Sequence, residues 1–323
     1  MTFVASGCGG DSPPQRLQPV EVVAQQPGDP AADRTVVAEL TGRSEEEEQA
    51  EPEPREAIAD LVVLISVDGL RPDVIYPQAP TIHGLQLRGA AALHSRTISK
   101  SSTLPSHASM VSGVDFDQHG LTFNSYRPER GHIQYPTIFS EAQRAGLSTA
   151  LFVGKRKLEH LLKPDLVEHF EVGGVFCNKV TNLAVPHLRK AEPGVVFVHF
   201  SDPDSAGHRY GWMSSKYKTA VHRADRCVRD VLRALEQRGN MERTLVLVTS
   251  DHGGHDHSHG TRRRLDRNIP WVLYGAGVKV KKRIRKTVYN TDTAATIFFA
   301  LGIAPPDTIV GQPILEAFEG HEA

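Results

Sequence analysis

The stretch "SDHGGHDHSH" at positions 250 to 259 packs four histidines and two aspartates into the nine residues from Asp251 to His259. Imidazole nitrogen and carboxylate oxygen are donors suited to a zinc-like dication, so the segment reads as a metal site with ligands to spare. Asp204 and His208 in "SDPDSAGH" (201 to 208) repeat the pairing, and Asp68 opens "DGLRPD" (68 to 73). A nucleophile is available in "SSTLPSHASMVSG" (101 to 113). Pro105 suits the first turn of a helix, which leaves Thr103 just before it, at the positive, amide-rich end where a phosphate is held. Taken singly, each residue has a bland role as well: an Asp after a strand caps a helix, and Thr103 or Ser102 is an N-cap.

The elements that must bring these residues together are short, nearly continuous runs rich in β-branched residues: "LVVLISV" (61 to 67), "LSTALFV" (147 to 153), "GVVFVHF" (194 to 200) and "RTLVLVTS" (243 to 250). Such runs are the form of strands buried on both faces. Helical patterns lie between them, including "YPTIFSEAQRAG" (135 to 146) and the amphipathic 216–239, which stops at a glycine. The alternation predicts a three-layer α/β/α sandwich around a mostly parallel sheet. Open α/β sheets bind ligands at the carboxyl ends of their strands. Asp68, the 201–208 segment and the Asp251-His252 pair each follow such a strand, so one sheet edge would gather them.

The 323 residues carry a formal net charge of −1, with 39% hydrophobic and 23% charged residues. That balance fits one large domain plus appendages, offers no bilayer-spanning stretch and gives no reason to expect specific nucleic-acid recognition. Residues 9–57 hold seven prolines, no aromatic residue and the runs "SEEEEQ" and "EPEPRE". They are expected to be a disordered acidic linker spanning about 40 Å, leaving 58–323 as the folded domain. Residues 1–8 end in "FVASGC", similar to a lipid-attachment site, although Ala5 stands where leucine is usual and only seven residues precede Cys8. The expectation is a truncated lipoprotein signal, a membrane tether through Cys8 and an extracytoplasmic location; the bland reading is a free cysteine in a terminus. Cys177 and Cys227 could pair in an oxidising compartment, but sequence cannot measure their separation, and the expectation is two separate reduced core cysteines.

In order, "VDGLRPD", "TLPSHASMVSG", "HGLTFN", "DSAGH", "SDHGG" and "IPWVLYGAGV" resemble the alkaline phosphatase superfamily, closest to its type I phosphodiesterase and nucleotide pyrophosphatase branch, over residues 60–316. The tail "NTDTAATIFFALGIAPPDTIVGQPI" (290 to 314) looks like that superfamily's closing helix and turn. The resemblance implies two divalent metal ions. Asp68, Asp251 and His252 would hold one beside Thr103, whose oxygen is a further contact; Asp204, His208 and His259 would hold the other. His259 is preferred because His259-Gly260 matches the family's "HG" pair, with His255 or His257 as alternatives and Asp202 and Asp256 as bystanders. Donor type favours zinc (Zn2+), with manganese or iron as alternatives. A dication favours the alkoxide of Thr103, which then attacks phosphorus, while the second ion neutralises the leaving oxygen. Asn124, 21 residues after Thr103, matches the asparagine that holds a phosphoryl oxygen in diesterase-type relatives, and the Leu104 amide would be a second donor.

Lys155 and Lys157 in "FVGKRKLEHL" (152 to 161) follow a buried-type strand and emerge at the same sheet edge. Two cations there would favour a dianionic phosphate monoester or phosphonate over a diester; a solvated basic helix start is the bland reading. The reading is thus a two-metal hydrolase of small phosphate esters, nucleotides or phosphonates. A monoesterase or phosphonate hydrolase using Lys155 and Lys157 is one alternative, and a tethered metal-binding protein without turnover is another. No "CxPxR"-type sulfatase motif or G-x-S-x-G elbow is present. The basic stretches 262–267 and 279–286 read as solvated strand edges, with attraction of anionic substrates or lipid head groups as the alternative.

Overall fold

The computed structural model describes residues 56–163 and 166–322. The expected tether at Cys8 and nearly all of the expected 9–57 linker fall on residues outside those described. Among the described residues there are ten strands: β1 (Leu61–Val67), β2 (Ala90–Ala92), β3 (Ser95–Arg96), β4 (Ser148–Val153), β5 (His169–Val172), β6 (Gly194–Phe200), β7 (Thr244–Thr249), β8 (Trp271–Gly275), β9 (Lys282–Ile284) and β10 (Val288–Tyr289). Eight of them form one sheet in the order β5-β4-β6-β1-β7-β8-β2-β9, and β10 pairs with β3 apart from it. From β5 to β7 every pairing is parallel; β8 runs antiparallel to β7 and β2. The main helices are α1 (Pro80–Arg88), α2 (Thr103–Ser112), α3 (Ile138–Arg144), α4 (Cys177–Leu188), α5 (Asp202–Tyr210), α6 (Ser215–Arg238) and α7 (Asp292–Leu301).

The four apolar runs are the four central parallel strands. β1 is completely buried because alternate residues serve two cores: Val62 and Leu64 pack with α2, α3 and α7, while Leu61, Val63, Ile65 and Val67 pack with α1, α4 and α6. A sheet covered on both faces has no solvent side, so its strands carry no polar alternation. Each large apolar side chain so buried contributes about 1.5–3 kcal/mol. None of the helices among the described residues is long and apolar enough to cross a membrane.

Two local expectations need correction. Thr103 is the first residue of α2, with Ser102 at the N-cap and no side-chain cap bond there. Cys177 and Cys227 form a disulfide with a Cα–Cα distance of 6.1 Å, joining α4 to α6. The packing of these two helices on one face of the sheet brings the cysteines together across 50 residues of sequence. The 279–286 stretch contains the edge strand β9, as a charged, aggregation-resistant edge requires.

Candidate metal centre

The turn after β1 sets the floor of the site. Asp68 extends the ladder by donating its N–H to Phe200 O at 2.9 Å, and Asp204 N–H returns to Asp68 O at 3.0 Å. Gly69 between them has φ +72°, and a Cβ there would meet Asp204 Cα at 3.0 Å, so only glycine lets the two segments close. Trp212 Nε1 and Tyr217 Oη both donate to Gly69 O, and the Gly69 and Leu70 N–H groups donate to Asp251 Oδ1 and Ser250 Oγ. These bonds fix the ends of β1, β6 and β7 relative to one another.

Asp68, Asp251 and His252 converge in one buried group whose ligand atoms approach closely enough to share an ion. His252 Nε2 lies 3.3 Å from both Asp68 Oδ1 and Asp251 Oδ2. Asp204, His208 and His259 form a second group: His208 Nε2 and His259 Nε2 stand 3.3 and 3.5 Å from Asp204 Oδ1 and 3.1 Å from each other. Each histidine donates Nδ1–H to a backbone carbonyl: His252 to Gly253, His259 to Ser101 and His208 to His257. That tautomer leaves all three Nε2 lone pairs for a metal.

The donor set fits cations. Asp68 Oδ1, Asp204 Oδ1, Asp251 Oδ2 and His252 Nε2 are all buried without a hydrogen-bond partner, a costly state for polar atoms unless something else binds them. Donors about 2.0–2.2 Å from a tetrahedral ion stand about 3.3–3.6 Å apart, which matches most of the separations above. The other carboxylate oxygens are occupied by protein. Lys155 Nζ lies 2.6 Å from Asp68 Oδ2 and 2.6 Å from Asp204 Oδ2, and it donates to Thr103 Oγ1 at 3.4 Å. One ammonium therefore links both groups to the threonine.

Electrostatics follow from protein groups alone. Burial raises the Asp251 carboxyl to about 7, reinforced by the charge of Asp68. Burial opposes charge on His252, but Asp251, Asp68 and Asp204 outweigh it and hold its pKa at about 9. Burial also raises Asp68, yet Lys155, His199 and His252 overcome it and hold it well below the usual carboxylate range. His259 is lowered to about 3 by burial and by the charge of His252. Burial and the neighbouring Lys155 lower Lys157 to about 8. The raised Asp251 and His252 values mark an excess of buried negative charge that protons offset and that bound cations would relieve.

The remaining predicted residues divide clearly. Asn124 Oδ1 accepts from Leu104 N–H and from Lys157 Nζ, each at 2.9 Å, so the Leu104 amide orients Asn124 and is not a free donor as expected. His255 donates Nδ1–H to Asp266 at 2.6 Å, and His257 donates Nδ1–H to His208 O at 3.1 Å while its own carbonyl accepts from His208, so His257 braces the second group through its backbone. Asp202 accepts from Cys177 N–H and Arg223 Nε on the far side of α5. Asp256 has φ +44° in the turn of that loop.

Sequence reasoning missed three contributors. His199 is fully buried on β6 and donates Nε2–H to Asp68 Oδ2 at 3.0 Å, its tautomer set by Gly154 N–H donating to Nδ1. His107 donates Nδ1–H to Thr103 O and accepts from Ser66 Oγ, holding the first turn of α2. Asp266, fully buried, holds His255 and both Thr261 N–H and Oγ1–H, which anchors the loop carrying His259. The available signals were a lone histidine in the apolar run "GVVFVHF" and a lone carboxylate in "RRRLDR".

Comparisons with known proteins agree with this architecture. Human bis(5'-adenosyl)-triphosphatase ENPP4 (Homo sapiens) is 24% identical over 212 residues, covering 59% of this chain and 47% of the relative. The chain thus spans about half the length of the curated relatives it matches. Among solved structures, murine ectonucleotide pyrophosphatase/phosphodiesterase 5 in an inactive form with AMP superposes with a TM-score of 0.66 at 13% identity, covering 76% of this chain and 96% of that one. A phosphonate monoester hydrolase from Silicibacter pomeroyi gives 0.63 at 15% identity, over 82% of this chain and 77% of that one. At such identities the likeness shows the fold alone. The family model described as type I phosphodiesterase / nucleotide pyrophosphatase matches residues 62–272, from the start of β1 into β8, and the chain belongs to that family.

Proposed function

We propose that residues 58–323 form a metal-dependent hydrolase of phosphoric esters in which Thr103 attacks phosphorus and carries the phosphoryl group between two half-reactions. The observation that carries this reading is the set of partnerless buried ligand atoms around a threonine at a helix start. Asp68, Asp251 and His252, with Thr103, are suited to one divalent ion, and Asp204, His208 and His259 to a second; imidazole and carboxylate donors favour zinc, with manganese or iron as alternatives. Such ions would supply positive charge that favours ionisation of a hydroxyl and offsets charge on a leaving oxygen.

The chain's own groups do the positioning. Lys155 donates to Thr103 Oγ1, which stabilises an oxyanion there relative to the hydroxyl. The Leu104 N–H pins Asn124 Oδ1, leaving the Nδ2 hydrogens for a phosphoryl oxygen. Lys157, beside Asn124, adds a second cation at the same place. The disulfide supports an oxidising, extracytoplasmic compartment.

A second reading is favoured by Lys155 and Lys157 together. Two ammonium groups at the nucleophile suit a dianionic monoester or a phosphonate better than a singly charged diester. Assaying p-nitrophenyl phosphate, bis-p-nitrophenyl phosphate, an aryl phosphonate and a nucleotide diester with added zinc tests both readings. Turnover of any of them supports the hydrolase. Absence of turnover with both ions bound would replace it with a metal-site binding protein. Lys157→Ala should depress monoester or phosphonate turnover about tenfold more than diester turnover; equal losses would remove the second reading.

A further inference from the structure

The face beside the metal centre carries an exposed apolar tip in a cationic field. Val172 ends β5, and the chain then turns through two glycines to Val175 and Phe176 before α4 begins. Because β5 runs parallel to β4, this turn emerges at the same sheet edge as Lys155. Val175 is 47% exposed and Phe176 49%, and Tyr210 at the end of α5, which shares one depression with them, is 45% exposed. Burying such side chains away from water is favourable, and nothing within the described residues covers them.

The surroundings are basic. The outward face of α6 presents Lys216, Arg223, Arg226, Arg229 and Arg233, with Asp230 as the one carboxylate on that face before Glu236. Lys179 of α4 shares a depression with Phe176, Arg226 and Arg229. The Arg223 guanidinium lies 5.2 Å over the Phe176 ring, and that of Arg209 lies 5.3 Å over Tyr210. The base is rigid: the Cys177–Cys227 disulfide ties the start of α4 to α6, and Asp202 holds both Cys177 N–H and Arg223 Nε.

We propose that this face docks on an anionic lipid surface, with Val175, Phe176 and Tyr210 entering the interfacial layer and the α6 cations meeting the headgroup charge. Apolar tips rimmed by lysine and arginine are the combination that an anionic bilayer rewards twice, by burial and by charge. A nucleic acid or polysaccharide would use the cations but leave the valine, phenylalanine and tyrosine in water. A protein partner would more often be matched by a mixed rim of both charge signs. Docking in this way sets the catalytic edge of the sheet beside the membrane.

The test uses the full chain with Cys8→Ser, so that no acyl chain contributes, and sedimentation with phosphatidylglycerol-containing or pure phosphatidylcholine vesicles. The protein should bind the anionic vesicles and release them as salt rises. Phe176→Ser with Tyr210→Ser, and separately Arg226→Glu with Arg229→Glu, should each lower partitioning by about tenfold or more. Both are surface changes, and unaltered circular dichroism would show that the fold persists. Three results overturn the proposal: no binding to either vesicle, undiminished binding by both variants, or binding to heparin and vesicles alike that Phe176→Ser with Tyr210→Ser leaves untouched, which would mark a polyanion site.

Discussion

Asp68, Asp251 and His252 hang from the ends of β1 and β7 and are completely buried, whereas Asp204, His208 and His259 sit on α5 and a loop, with the His208 side chain 47% exposed. The inner group is framed by strand ends locked through Gly69, and the outer by a helix, by the His257 carbonyl of a loop that Asp266 anchors and by the Ser101 carbonyl just before α2. The difference implies a division of labour. On the proposed mechanism, the inner group, preorganised by the sheet, would serve the Thr103 nucleophile, and the outer group, through the exposed His208, would serve the leaving group and the incoming water.

The sharpest break between holding ions and doing chemistry is Thr103→Ala. It removes none of the six proposed histidine and aspartate ligands, so the variant should bind both proposed ions and fold normally. Its turnover should fall on the order of a thousandfold or more, because the covalent step is gone. Near-normal turnover would mean that water attacks phosphorus directly.

The asymmetry between the groups predicts unequal ligand losses. Asp251→Asn should weaken the inner ion by at least about a hundredfold and lower thermal stability as well, since it perturbs a fully buried cluster. His208→Ala should cost the outer ion with little change in melting temperature. Elemental analysis during titration with a chelator should show the outer equivalent leaving first from the wild type; simultaneous loss would erase the distinction.

His199→Leu sharpens the comparison further. Removing the donor to Asp68 Oδ2 should weaken the inner ion about 10–100-fold and leave the outer affinity unchanged. Equal effects at both sites, read by competition with a coloured chelator, would show that His199 serves packing only.

The smallest expected effect lies away from the centre. Burial lowers His119 from 6.5 to about 4, its ring held between Ser109 and the Leu121 amide. Between those values the unfolded chain binds the proton and the folded chain does not, so its contribution is full above pH 6.5 and is lost as pH falls toward 4. His119→Gln should flatten that part of the stability profile in urea melts of metal-free protein; an unchanged slope would contradict the assignment.

Strand positions were legible because a sheet buried on both faces forces uninterrupted apolar runs, and the observed limits of β1 and β6 coincide with the runs at 61–67 and 194–200. Ligand types following those runs were legible for the same topological reason. The supporting contacts were not. His199 reaches Asp68 across 131 residues and Cys177 reaches Cys227 across 50, separations that no local pattern encodes. Lys155 was legible as an emerging cation, but its position between Asp68, Asp204 and Thr103 depends on how far β4 extends relative to β1 and β6. The choice among His255, His257 and His259 likewise turns on Asp266, which reads in sequence as one acid among arginines.

The most direct test of the central claim is mass spectrometry of the protein quenched in acid during turnover of its best ester. The account predicts a phosphoryl group on the peptide containing Thr103, present in the wild type and absent from Thr103→Ala. Active enzyme that never shows that adduct, under quench times short enough to catch a single turnover, would contradict it.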